Sequence, residues 1–131
     1  MASLPESGGA VTPLRPAQPD NPGLAELLRY EGDVRRQASV EELVYFVANE
    51  SRSLVNYDQM FVLRRALLRD GFAVQAASSL SMIDRNAPLI QAIEKATNGF
   101  GGSAQMVDAD SLSDDAAIAE YPFHAWYWLP L

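Results

Sequence analysis

The residues able to do chemistry are few and scattered. Asp108, Asp110, Asp114 and Asp115 form a short acidic run, the kind of oxygen donor set a hard divalent cation needs. Its spacing lacks the glycine and terminal glutamate of an EF-hand loop, so the run reads as a solvated acidic loop. His124 is the only histidine and cysteine is absent, which excludes a zinc-thiolate site, a thiol nucleophile and a disulfide framework, and leaves no choice of partners for a Ser-His-Asp triad. His124 reads as an ordinary strand residue. Gly99-Phe100-Gly101-Gly102 resembles a phosphate cradle, but a cradle lies between a strand and the start of a helix, whereas this one follows a helix and reads as its stop. The expectation is no catalysis, no metal and no cofactor.

Binding chemistry is what these residue types leave. Ser78 and Ser79 close a run of small residues, Ala73, Ala76 and Ala77, beside which a ligand would find room; close helix packing explains the same small residues. A ligand held there would take a polar contact from Ser78, Ser79 or Tyr57 and stacking from Trp126 or Trp128, since pockets pair apolar walls with a few polar groups. Asn49 and Glu50 fall at a helix end, where Asn49 can bond exposed carbonyls or end the helix in the left-handed conformation, and where a ligand contact is the other reading. Asp84-Arg85-Asn86 precedes Pro88. There Asn86 or Ala87 can cap a helix with Pro88 in its first turn, and Asp84 can pair with Arg85 or with the helix end.

Two β-prone runs around Asp70-Gly71 must position the serines. Asp-Gly is a strong signal for a two-residue type I′ turn, which sets Leu63 opposite Ser78, Leu67 opposite Val74 and Phe61 opposite Leu80. Phe61, Leu63, Leu67, Val74 and Leu80 then share one face. The opposite face, with Met60, Val62, Ala66 and Leu68, is nearly as apolar, so both need cover. A first helix starts near Pro22 after an Asp20 or Asn21 cap, with Leu24, Leu27, Leu28 and Val34 roughly on one face. Ser39 and Glu42 have capping-box spacing for a second helix that buries Leu43, Phe46 and Val47. A third helix buries Leu89, Ile90, Ile93 and Ala96 and stops at Asn98-Gly99. Phe123 to Leu129 reads as a third strand, with Phe123, Ala125, Tyr127 and Leu129 on one face and His124, Trp126 and Trp128 on the other.

The 131 residues suit one domain, and residues 1–22, with five prolines and no apolar period, read as a flexible arm ahead of a domain over residues 23–131. Its other possible role is a proline-rich ligand for a partner groove. The formal net charge of −7 disfavours nucleic acid and anionic headgroups as non-specific partners. No apolar run is long enough to span a bilayer, and Met1 to Ala10 lacks the charged start and apolar middle of a secretory signal.

Glu42-Leu43-Val44-Tyr45-Phe46-Val47-Ala48-Asn49-Glu50, then Tyr57-Asp58-Gln59, then Ala77-Ser78-Ser79-Leu80-Ser81-Met82-Ile83-Asp84-Arg85-Asn86-Ala87-Pro88, and finally Trp126-Tyr127-Trp128-Leu129-Pro130-Leu131 together resemble the GAF-like domain at the N-terminus of some bacterial membrane-fusion (adaptor) proteins of the haemolysin-secretion type. The most specific piece is Asp84 to Pro88 after the serine-bearing strand end. Where that pattern has Ser-Gly, this chain has Ser78-Ser79. The resemblance implies an α/β (α+β) fold, an antiparallel sheet with helices packed on it, cut off after its third strand relative to a whole GAF domain. It also implies a non-catalytic sensory or regulatory role in efflux or secretion, with a small-molecule ligand or a transporter component as partner. The placement it implies is cytoplasmic, ahead of a membrane helix absent from this chain. The alternative is an interaction module with no small-molecule ligand. An aromatic last strand with no following sequence to cover it adds the expectation of a two-fold homodimer through the first helix, the last strand or both.

Overall fold

The structure is a computed structural model that describes residues 21–112 and 114–131. The arm expected over residues 1–22 lies outside the described residues except at Asn21 and Pro22, which open the first helix. The fold is mixed α+β, with four helices and two small antiparallel sheets among the described residues. It divides into two compact units, one ending at Tyr57 and the other spanning Asp58–Leu131.

The first unit pairs two helices. α1 spans Asn21–Arg35 and α2 spans Val40–Glu50. The capping box forms as its spacing predicts: Ser39 is the N-cap and its Oγ accepts from the Glu42 N–H at 3.1 Å. The Glu42 carboxylate reaches back past the cap to accept from the Ala38 N–H at 3.0 Å, so two backbone donors at the helix start are satisfied. Tyr30 fixes α1 on α2, its ring 5.3 Å from Phe46 and its hydroxyl 2.7 Å from Ser51 Oγ. The leucine face differs from expectation: Leu24, Leu27 and Leu28 are all more than half exposed.

The second unit begins with a hairpin of β1, Phe61–Arg65, and β2, Phe72–Ala77. Its register is not the one the Asp-Gly signal predicts. Leu63 faces Val74 rather than Ser78, Phe61 faces Ala77 rather than Leu80, and the ladder shifts between Val62 and Leu63, where Gln75 is the extra residue of a bulge. Ala66 N–H donates to Gly71 C=O at 2.9 Å, closing a longer connection in which Gly71 has φ of 93° and Asp70 has no positive φ, so the turn is not type I′. Leu67 and Leu68 leave the strand faces assigned to them and stand 93% and 100% exposed.

α3, Pro88–Thr97, explains the register. It buries Ile90 and Ile93 against Val74, with Phe61, Leu63, Ile83, Leu89 and Trp126 packed around them. Pairing Val74 with Leu63 puts both on this cluster, and that tertiary contact outweighs a local turn preference. A second cluster joins Ala92 of α3 to Ala109 and Ile118, again with Trp126 against it. Ile118 belongs to α4, Ala116–Glu120, capped by Asp115, whose Oδ1 accepts from Ala117 N–H at 2.9 Å. The expected single sheet is two: β3, Gln105–Asp108, pairs with β4, Ala125–Trp128, separately from β1 and β2. The stretch read as an acidic loop therefore contains the end of a strand, a 3₁₀ turn over Ala109–Leu112 and a helix cap.

Candidate functional site

Ser78 follows β2 and is buried. Its N–H donates to Met60 C=O at 2.8 Å and its Oγ accepts from Met60 N–H at 2.9 Å, so both polar groups tie the hairpin ends together. Ser79 is exposed and takes φ of 70°, the left-handed region. The strand exit thus has the conformation for which a Ser-Gly pair would be suited, although the residue is serine.

The tryptophans serve the interior. β4 alternates as its sequence predicts, with Trp126 and Trp128 partly covered and Tyr127 exposed. Trp126 touches both hydrophobic clusters and donates its indole N–H to Phe123 C=O at 2.7 Å. Trp128 stands between Phe72 and Phe100, with ring centroids at 5.5 and 5.4 Å, and donates to Gly101 C=O at 2.9 Å. The glycine-bearing loop after α3 is therefore an anchor for Trp128, its Gly101 at φ of 74°. The apolar residues that β3 and β4 leave exposed are Met106 and Tyr127, with Leu129 beyond them, rather than the tryptophans.

Tyr57 belongs to the first unit. Its hydroxyl donates to Ala48 C=O at 2.9 Å, and the Arg52 guanidinium lies 4.7 Å from its ring centroid. Burial pushes the phenol pKa up, and the nearby Arg52 charge opposes the shift. Asn49 donates its side-chain amide to Tyr45 C=O at 3.0 Å, one turn back within α2, and does not turn left-handed. Asn49 and Glu50 do line a surface cleft of about 360 Å³ with Gln37, Glu41, Glu42, Tyr45 and Phe46. A second cleft, of about 490 Å³, is lined by Arg65 to Asp70. None of the five expected ligand anchors lines either cleft.

The Asp84 to Pro88 run divides its labour. Asp84 Oδ1 accepts from Asn86 N–H at 2.9 Å in a local turn, Ala87 is the N-cap, and Pro88 occupies the first turn of α3, where its missing N–H costs nothing. Arg85 turns away from Asp84 to Glu94 of α3, with Nη1 2.7 Å from Oε2. Glu94 organises this edge of the hairpin, a structural role the sequence does not announce. Its side chain is 14% exposed, and it also binds Arg69 at 3.0 Å and accepts from Val74 N–H at 2.7 Å. Arg85 donates to Val74 C=O and Arg69 to Phe72 C=O. Among the described residues no strand pairs with the far edge of β2, and these side chains supply the hydrogen bonds a strand would have made.

His124 Nδ1 lies 2.7 Å from Asp110 Oδ1, both side chains largely exposed, while the neighbouring Ser111 hydroxyl donates to Asp108 C=O. Among the described residues no group of three or more His, Asp or Glu side chains could hold a metal ion, and no helix is long and apolar enough to cross a membrane. Compared with known family models, curated proteins and solved structures, the chain matches none.

Proposed function

We propose that the chain is a non-catalytic interaction module that pairs with a second copy of itself, in the cytoplasmic N-terminal region of a membrane-fusion adaptor. The observation that carries the pairing is the leucine stripe of α1, where Leu24, Leu27 and Leu28 are 57%, 51% and 59% exposed on a helix already fixed to α2 by Tyr30. Charge does not oppose it. Arg29 pairs with Glu26, Arg35 with Glu31 and Arg36 with Asp33, so the stripe is flanked by self-neutralised pairs on a chain whose net charge is −7. Two such helices bury leucine against leucine, antiparallel, with opposed helix dipoles. Light scattering is expected to give a dimer, and Leu24→Glu/Leu28→Glu to give a monomer with unchanged circular dichroism. A wild-type monomer at high concentration refutes the reading.

A second reading, a sensory domain that holds a small molecule, is favoured by the left-handed strand exit at Ser79, which fits the Ser-Gly pattern of the GAF-like resemblance. A thermal-shift screen over metabolites separates the two, because a ligand held only by the folded state raises its melting temperature.

A further inference from the structure

The connection between β1 and β2 carries two adjacent, almost wholly exposed leucines. Leu67 and Leu68 stand side by side at 93% and 100% exposure, beyond the last backbone pair of the hairpin, Ala66 with Gly71. Two adjacent leucines left in water are apolar area whose covering would be favourable. The charges around them say what would cover them. Three of the five cationic side chains of Asp58–Leu131 are Arg64, Arg65 and Arg69, and all three are exposed at the base of this tip. Arg65 is held over the Phe72 ring at 5.1 Å on the hairpin, whereas Arg69 is paired with Glu94 of α3 at 3.0 Å and its charge is offset there. Asp70 is the one acid in the connection itself, while Asp108, Asp110, Asp114, Asp115 and Glu120 all fall in a later stretch of an otherwise acidic unit.

We propose that this tip docks reversibly on an anionic lipid bilayer, with Leu67 and Leu68 entering the acyl boundary and Arg64 and Arg65 pairing with headgroup phosphates. A projecting pair of leucines collared by arginines matches the layering of a bilayer surface, apolar below and anionic above. Nucleic acid would satisfy the arginines but leave the leucines in water. The local collar overrides the repulsion expected from the net charge, because charges beyond a Debye length of about 8 Å are screened at physiological salt. Two leucine side chains and two arginines give weak, salt-sensitive attachment, distinct from a spanning helix.

The test is sedimentation of the full chain with vesicles of phosphatidylcholine alone or mixed with phosphatidylglycerol. Binding is expected on the mixed vesicles only, declining as salt rises. Leu67→Ser/Leu68→Ser should lower the partition coefficient about tenfold or more, and Arg64→Glu/Arg65→Glu should abolish it. Both leucines contribute nothing to the core, so the serine variant keeps its melting temperature, and its self-association through α1 stays as in the wild type. Absence of wild-type binding to the mixed vesicles at physiological salt overturns the proposal, as does equal binding by the serine variant. A serine variant that changes oligomeric state instead assigns the tip to a protein contact, which also overturns it.

Discussion

Removing the Glu94 carboxylate should be the most damaging polar change available in the second unit. Glu94→Ala strips Val74 N–H of its 2.7 Å acceptor on a residue with no exposure at all. A buried donor left unsatisfied costs about 1–3 kcal/mol. The two ion pairs add less, because the side chains of Arg69 and Arg85 are 48% and 49% exposed and pairs so close to solvent contribute about 0–1 kcal/mol each. The expected loss is therefore about 1–5 kcal/mol. Glu94→Gln is the informative companion. Its amide oxygen can still accept from Val74 N–H, so it should lose only the charge-dependent part, about 1 kcal/mol. Urea denaturation of both variants gives the difference directly, and an equal slope would show that the unfolded state is unaltered. If alanine proves no worse than glutamine, the acceptor role is wrong and Glu94 acts through charge alone. Loss of the clamp also bares the far edge of β2, so the alanine variant should aggregate at concentrations the glutamine variant tolerates.

Gly71→Val should destabilise by about 1–2 kcal/mol, because Gly71 sits at φ of 93° and a side chain there is strained. A Cβ at Gly71 would also collide with the Asn98 carboxamide; combining the change with Asn98→Ala should relieve the collision and leave the backbone strain, and an unchanged midpoint for Gly71→Val alone would remove the argument. Tyr121 gives a pH dependence. Burial, with the Asp58 charge adding to it, pushes its phenol from 10.0 up to about 12. The folded state then holds the proton more tightly than the unfolded chain, so this contribution to stability is complete below pH 10 and is lost as pH rises towards about 12. Across that range the denaturation midpoint of the wild type should fall relative to that of Tyr121→Phe, which has no phenol to ionise, and parallel curves would count against the shift.

The elements whose determinants are local were legible in the sequence. Ser39 and Glu42 specify the start of α2 through atoms four residues apart or fewer, and Pro88 and the Asn98-Gly99 pair bracket α3 for similarly local reasons. The alternation of β4 also survived, because burial of Trp126 and Trp128 follows a period of two. The β1–β2 register was not legible. It accompanies the packing of Leu63 and Val74 on Ile90 and Ile93 of α3, with Glu94 and Arg85, remote along the chain, taking the N–H and C=O of Val74, and no local pattern encodes either. β3 was hidden for a different reason: Gln105 to Asp108 is short and mostly exposed, so it carries little of the hydrophobic alternation by which strands are recognised.

Two of the expected ligand anchors, Trp128 and Ser78, are engaged within the fold. A tryptophan and a serine are chosen as binding residues because each offers an apolar body or a small polar tip, yet those properties serve the interior equally well. Trp128 meets two aromatic rings and gives its N–H to Gly101, and Ser78 spends its hydroxyl on Met60. Each polar group has one partner inside the fold, and displacing it for a ligand would require the ligand to repay that bond. The available surface chemistry lies where the sequence was read as strand and core, at Leu67, Leu68 and the leucines of α1. What could have exposed the tip is the collar itself. Arginine at positions 64, 65 and 69 on a net acidic chain cannot accompany Leu67 and Leu68 into a core without burying charge at several kcal/mol per ion. Arginines so placed hold the connection at the surface, and the leucines between them stay there with it.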